Sequence, residues 1–137
     1  MRRGIFPIAL IALAVLAAFL QSGGALMAHH SFSSEFDAAK PIKVTATVTK
    51  LEWSNPHVWF YVDVKDESGK VTNWAFETSA PILLTRRGVT KESLKESETL
   101  RIEGYRAKDG TNTASATYVT FPDGKRVFTG AVGSPTD

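Results

Sequence analysis

Three histidines and no cysteine carry the metal-ligating nitrogen and sulfur of this 137-residue chain. His29 and His30 are adjacent, and His57 follows Asn55 and Pro56. Without a thiol the chain forms no disulfide, thiolate zinc site, iron–sulfur cluster or blue-copper centre, and it has no thiol nucleophile. What remains open is a site of nitrogen and oxygen. A histidine at a mature N-terminus offers a neutral amine and an imidazole from one residue. A third nitrogen from His57 would complete the T-shaped set that Cu(II) favours. An α-amine with a pKa of about 7.7–8.0 is partly deprotonated near neutrality, so chelation costs little. His30 can be the third ligand or orient one, and Glu35 or Asp37 can add an oxygen. The plainer alternative makes His29 and His30 solvated linker residues, and gives His57 a hydrogen bond that fixes the turn into the next strand.

The aromatic residues are the second candidate. Trp53 and Trp59 flank the Asn55-Pro56-His57 turn, with Tyr61 and Trp74 on neighbouring strands. A face lined by Trp53, Asn55 and Trp59 suits a sugar, a peptide or another ligand with an apolar side. These rings are equally able to fill the core of a small domain. Catalysis has little support. Ser54 and His57 share a turn, but no glycine-flanked nucleophile or orienting acid accompanies them, and Glu52, Asp63 and Glu77 read as a solvated face. Phosphate loops, dinucleotide fingerprints and HExxH helices are absent.

Whether His29 is a terminus depends on the first segment. Met1-Arg2-Arg3 is basic, Ile8 to Leu20 is apolar without interruption, and Gln21-Ser22-Gly23-Gly24 breaks the run before Ala28. That is the layout of a secretory signal over residues 1–28, too short for a membrane span of roughly 20 apolar residues. Cleavage after Ala28 exposes His29; cleavage after Ala25 is the competitor, and an uncleaved signal anchor the further alternative. Residues 1–28 hold Arg2, Arg3 and no acid, so 29–137 carry fourteen basic and fourteen acidic side chains. The pI near 9.0 therefore describes the signal. Arg86-Arg87 and Lys125-Arg126 are isolated pairs, which argues against a nucleic-acid partner. No membrane span is expected after cleavage.

The elements that must position these residues are mostly strands. Ile42, Val44, Ala46 and Val48 alternate with polar residues; the apolar phase then slips to Leu51 and Trp53, which requires a bulge near Thr49-Lys50. Val58, Phe60, Val62 and Val64 form one face of a second strand, and a turn over residues 65–70 leads to a third over Val71 to Thr78. Ser79 can cap a short helix with Pro81 in its first turn and Gly88 at its end. Strands over Thr99 to Arg106 and Thr111 to Phe121 follow, joined at Asp109-Gly110, and Arg126 to Thr129 can add a sixth. The expected fold is mainly β, a small OB-like barrel of five to six strands with one short helix between strands three and four. The alternative is a two-layer α+β sandwich. The expected organisation is a signal over 1–28, an N-terminal extension over 29–39, the barrel over 40–129 and a flexible tail over 130–137.

Four stretches together carry a resemblance: Ala28-His29-His30-Ser31-Phe32, Glu52 to Trp59, Asn73-Trp74-Ala75-Phe76-Glu77, and Glu103 to Gly110. On these the chain resembles the secreted bacterial proteins of domain-of-unknown-function family 6152. The resemblance implies an envelope location and a small β-rich domain; it implies no activity, and fold alone supplies none. The expectation is a periplasmic or secreted, non-enzymatic binding protein. It would hold Cu(II) or another divalent metal through His29, His57 and His30. The alternative is an envelope module that holds a partner protein, a glycan or a small ligand through Trp53, Asn55 and Trp59.

Overall fold

The computed structural model describes residues 31–136. Its strands are β1 (Phe36–Glu52), β2 (Trp59–Lys65), β3 (Val71–Glu77), β4 (Thr99–Ala107), β5 (Thr113–Thr120) and β6 (Arg126–Phe128). One helical turn, α1 (Phe32–Glu35), precedes β1. Helix α2 (Pro81–Arg86) and a 3-10 turn over Glu92–Leu94 lie between β3 and β4. The hydrogen-bonded order is β3-β2-β1-β4-β5-β6, and β3 also pairs in parallel with β5 through Ala75–Thr113, Phe76–Ala114 and Glu77–Ser115. That last pairing closes a near-barrel ring of β1, β2, β3, β5 and β4, the OB-like arrangement. It also overturns the sandwich alternative, which would leave those two strand edges unpaired.

The strands take the faces their alternation dictates. Ala46 and Val48 of β1 point into the barrel with Phe60 and Val62 of β2, Phe76 of β3, and Leu100 and Ile102 of β4. Phe60 and Phe76 stack at a ring separation of 5.6 Å. The slip in β1 is a bulge: Val48 pairs with Val62 and Lys50 with Tyr61, so Thr49 is the extra residue. One strand thereby serves both β2 and β4 while the sheet bends. Leu84 of α2 and Leu94 of the 3-10 turn are fully buried and join the same core.

A second bulge lies between β4 and β5. Glu103 pairs with Tyr118 but Gly104 with Ala116, so Thr117 is the extra residue. Here the backbones come so close that a Cβ on Gly104 would sit 1.9 Å from the Ser115 carbonyl oxygen. The β4–β5 turn uses the expected Asp-Gly pair: Gly110 has φ +80°, and the Asp109 carboxylate accepts from the Thr111 backbone N–H at 2.9 Å and hydroxyl at 2.7 Å. Those bonds hold the Asp109 carboxyl below its usual range.

One local expectation fails. Ser79 does not cap α2; Ala80 occupies that position without a side-chain hydrogen bond, and the Ser79 hydroxyl donates to the Gly130 carbonyl instead. The reason is tertiary. Ser79 is 1% exposed, and its N–H donates to Thr129 O at 2.8 Å, so this residue is tied to the strand end after β6. Gly130 is buried and Ala131 and Ser134 are half-buried, so these residues of the expected tail lie against the barrel.

Candidate functional site

His57 is placed by the register of β2 against β3. Trp59 pairs with Glu77, and the intervening Val58 is fully buried. The Val58 N–H donates to Ser79 O at 3.1 Å, while the Thr78 N–H and hydroxyl donate to Val58 O at 2.9 and 2.8 Å. These bonds pin the loop to the end of β3 and set the His57 ring beside Glu77. His57 Nδ1 is in hydrogen-bond contact with Glu77 Oε1. Glu77 is 6% exposed, so this is a buried carboxylate holding a half-buried imidazole.

Glu77 corrects the reading of a solvated acidic face. Glu52 and Asp63 fit that reading better, bonded to Lys50 and Asn73 near the surface. The signal was weak but present: Glu77 follows Phe76 directly, at the end of a strand leading into buried Thr78 and Ser79, where a carboxylate needs a partner. The contact also supplies His57 with the orienting acid absent from its own turn. In a neutral ring, a carboxylate at Nδ1 draws the proton to that nitrogen and leaves Nε2 with its lone pair. Among the described residues, Nε2 has no hydrogen-bond partner.

Two spaces meet at His57. One is a small space of about 10 Å³ bordered by Phe32, Glu35, His57, Glu77, Ser115 and Ser134, among others. The other is an open cleft of about 500 Å³, bounded by Ser31, His57, Ser79, Leu83 and Val132 among others. α1 roofs the first space: Phe32 packs on Phe36 and Tyr105, both with ring centroids at 5.6 Å, and Lys108 Nζ donates to Ser33 O at 2.7 Å. Behind the cleft, Arg87 donates to Ser79 Oγ at 2.9 Å and Gly130 O at 3.1 Å and lies over the Phe128 ring. Partial burial pushes its pKa below the usual value.

His29 and His30 lie outside the described residues, as does the signal segment. Ser31, to which His30 is bonded, lines the same cleft as His57. Among the described residues no three His, Cys, Asp or Glu side chains form a group able to hold a metal. A metal held at His57 by three side-chain donors would therefore draw at least one of them from outside the described residues.

The aromatic candidates separate. Trp53 and Trp74 are half-buried and pack against the core, Trp74 with Arg106 over its ring at 5.0 Å. Asn55 is exposed in the loop. Trp59 stands apart from that core cluster and lines a groove of about 420 Å³ with Phe36, Lys108 and Asp109.

Among the described residues no helix is long and apolar enough to cross a membrane. No curated protein and no solved structure matches the chain. The model of one family matches residues 17–116, which take in α1 and all of β1 to β4 together with His29, His30, His57 and Glu77. On that match the chain belongs to the family of unknown function DUF6152.

Proposed function

We propose that this chain is an exported, non-enzymatic binding protein of the periplasm or the extracellular medium. Its ligand is Cu(II) or another divalent metal, held by His57 Nε2 with the amine and ring of His29 and with His30 as an additional donor. One observation carries the reading: the buried Glu77 occupies His57 Nδ1, and the free ring nitrogen belongs to a residue that shares a cleft with Ser31. Metal-ligating histidines as a rule donate the other ring N–H to a carboxylate, a backbone carbonyl or water, and Glu77 supplies the first of these. Copper(II) fits a nitrogen set of this kind better than a hard cation does, since hard cations select oxygen.

The test begins with the intact mass of the exported protein, which fixes the first residue. Cu(II) is then titrated while electron paramagnetic resonance is recorded. Binding in the micromolar range or tighter is expected, with nitrogen hyperfine structure, and about a hundredfold loss in His29→Ala and in His57→Ala. Each substitution removes one nitrogen donor from the set. Unchanged affinity in both variants overturns the proposal.

A second reading rests on Trp59, whose ring lies outside the core cluster and faces a groove. On this reading the groove holds an envelope partner protein or a glycan. Capture of a partner from periplasmic extract is then expected to be lost in Trp59→Ala, with little change in the unfolding midpoint. Capture that persists in that variant removes this reading.

A further inference from the structure

Three segments meet at the open cleft beside His57: the loop before β2, the start of α2 and the chain after β6. Backbone bonds hold them together, with the Val58 N–H on Ser79 O at 3.1 Å and the Ser79 N–H on Thr129 O at 2.8 Å. Pro56, Ala80, Leu83, Ala131 and Val132 supply apolar walls. Among the described residues that border the cleft, none is Asp, Glu, Lys or Arg. We infer that this cleft binds a neutral phenol, whose hydroxyl donates to His57 Nε2 while its ring and alkyl substituents lie against those walls.

The polar groups of the lining decide what kind of ligand fits. The Ser79 hydroxyl donates to the Gly130 carbonyl and accepts from Arg87 at 2.9 Å. The Ser31 carbonyl accepts from the Ser34 N–H and hydroxyl at 2.8 and 2.7 Å, and the Ser31 hydroxyl lies 3.2 Å from Ser33 Oγ. Ala80 O accepts from the Leu83 and Leu84 N–H groups, and Ala131 O from the Ser134 N–H. All of these are engaged within the chain. His57 differs. Glu77 Oε1 holds its Nδ1, and Nε2 has no hydrogen-bond partner among the described residues. The His57 side chain is 22% exposed, so the ring presents surface that a ligand can reach.

A neutral ring with its proton drawn to Nδ1 offers an acceptor at Nε2, so the ligand must donate. An anion brings no proton and finds no cation in this lining. A molecule with many hydroxyls would leave most of them unpaired against apolar walls, which is costly. One donor on an apolar body is what remains. A phenolic hydroxyl, with a pKa of about 10, donates to imidazole more strongly than an aliphatic alcohol, and a rigid ring loses little freedom on binding. The space of about 500 Å³ lies within the range of about 300–1,000 Å³ usual for small-molecule pockets, enough for a ring with alkyl groups. Val132 is 85% exposed in the free protein and loses contact with water when a ring lies on it.

The exported protein, kept metal-free with a chelator, is titrated with 4-ethylphenol, with its methyl ether 4-ethylanisole and with benzoate, and followed by amide NMR. Saturable shifts centred on residues 56–57, 79–83 and 131–133 are expected for 4-ethylphenol. The ether, which lacks the donor, is expected to bind about tenfold more weakly, and benzoate to give no saturable shift. Val132→Asp, at an exposed position that the fold does not depend on, is expected to weaken the phenol about fivefold or more by placing a charge against its ring. The inference is overturned if 4-ethylphenol gives no saturable shift, if the ether binds as tightly as the phenol, if benzoate binds equally well, or if Val132→Asp binds the phenol as the parent chain does. Phenol and metal share Nε2, so each excludes the other at that atom. The metal-free titration reads the phenol alone, and its failure leaves the copper result standing.

Discussion

Gly104→Ala is expected to be the most damaging single-methyl substitution in the barrel, lowering the unfolding midpoint by roughly 15–30 °C in calorimetry. The new Cβ would lie 1.9 Å from Ser115 O and 3.2 Å from Ala116 Cα, both backbone atoms of β5. No rotamer relieves a clash with backbone, so β4 and β5 must separate where their register already shifts. Separation there also strains the β3–β5 pairing that closes the ring, because Ser115 is the partner of Glu77. A cost of about 4 kcal/mol or more is expected, a large share of the 5–15 kcal/mol that keeps a domain of this size folded. Gly110→Ala is the control. It has nothing within 4 Å of the new methyl and suffers only from its φ of +80°. A loss of about 1–2 kcal/mol is expected there. Equal effects from the two substitutions would show that conformational freedom, rather than close approach, sets the role of Gly104.

Glu77→Ala is expected to reduce Cu(II) affinity by about 10–100-fold without removing any atom that would touch the metal. Glu77 acts through His57: its carboxylate holds the ring at Nδ1, and without it the proton and the ring orientation are free to change. Glu77→Gln keeps an acceptor oxygen in the same place and is expected to recover part of the loss. A stability defect alone would not produce that pattern. The paramagnetic spectrum gives the second readout, since a reoriented imidazole alters the nitrogen couplings while a merely weakened fold leaves the bound spectrum as it was. Full affinity and an unchanged spectrum in Glu77→Ala would make the pair a structural contact with no bearing on a metal.

How much of this was legible depends on the range of each interaction. Alternation in Ile42–Val48 and in Val58–Val64 identifies the buried faces of β1 and β2, because side chains on a strand change sides at every residue. The slip from Val48 to Leu51 identifies the bulge for the same reason. Asp109-Gly110 marks the β4–β5 turn by the φ its glycine can adopt. Glu77 was misread because nothing within its own strand explains a buried carboxylate; its partner is twenty residues earlier. Ser79 was misread as a cap because its hydroxyl is claimed by Gly130, fifty-one residues later.

The same division holds for the function. By itself the sequence determined that any metal here must rest on nitrogen and oxygen, that the three histidines are the residues to examine, and that a mainly β domain would carry them. Each of these follows from residue type and short-range pattern. Only the tertiary structure decided that His57 is backed by Glu77, that Ser31 shares its cleft, and that Trp53 and Trp74 pack on the core while Trp59 lines a groove. Those facts depend on strand register and ring closure between segments far apart in the chain, where the energy of pairing is set by the whole sheet and not by any local run of residues.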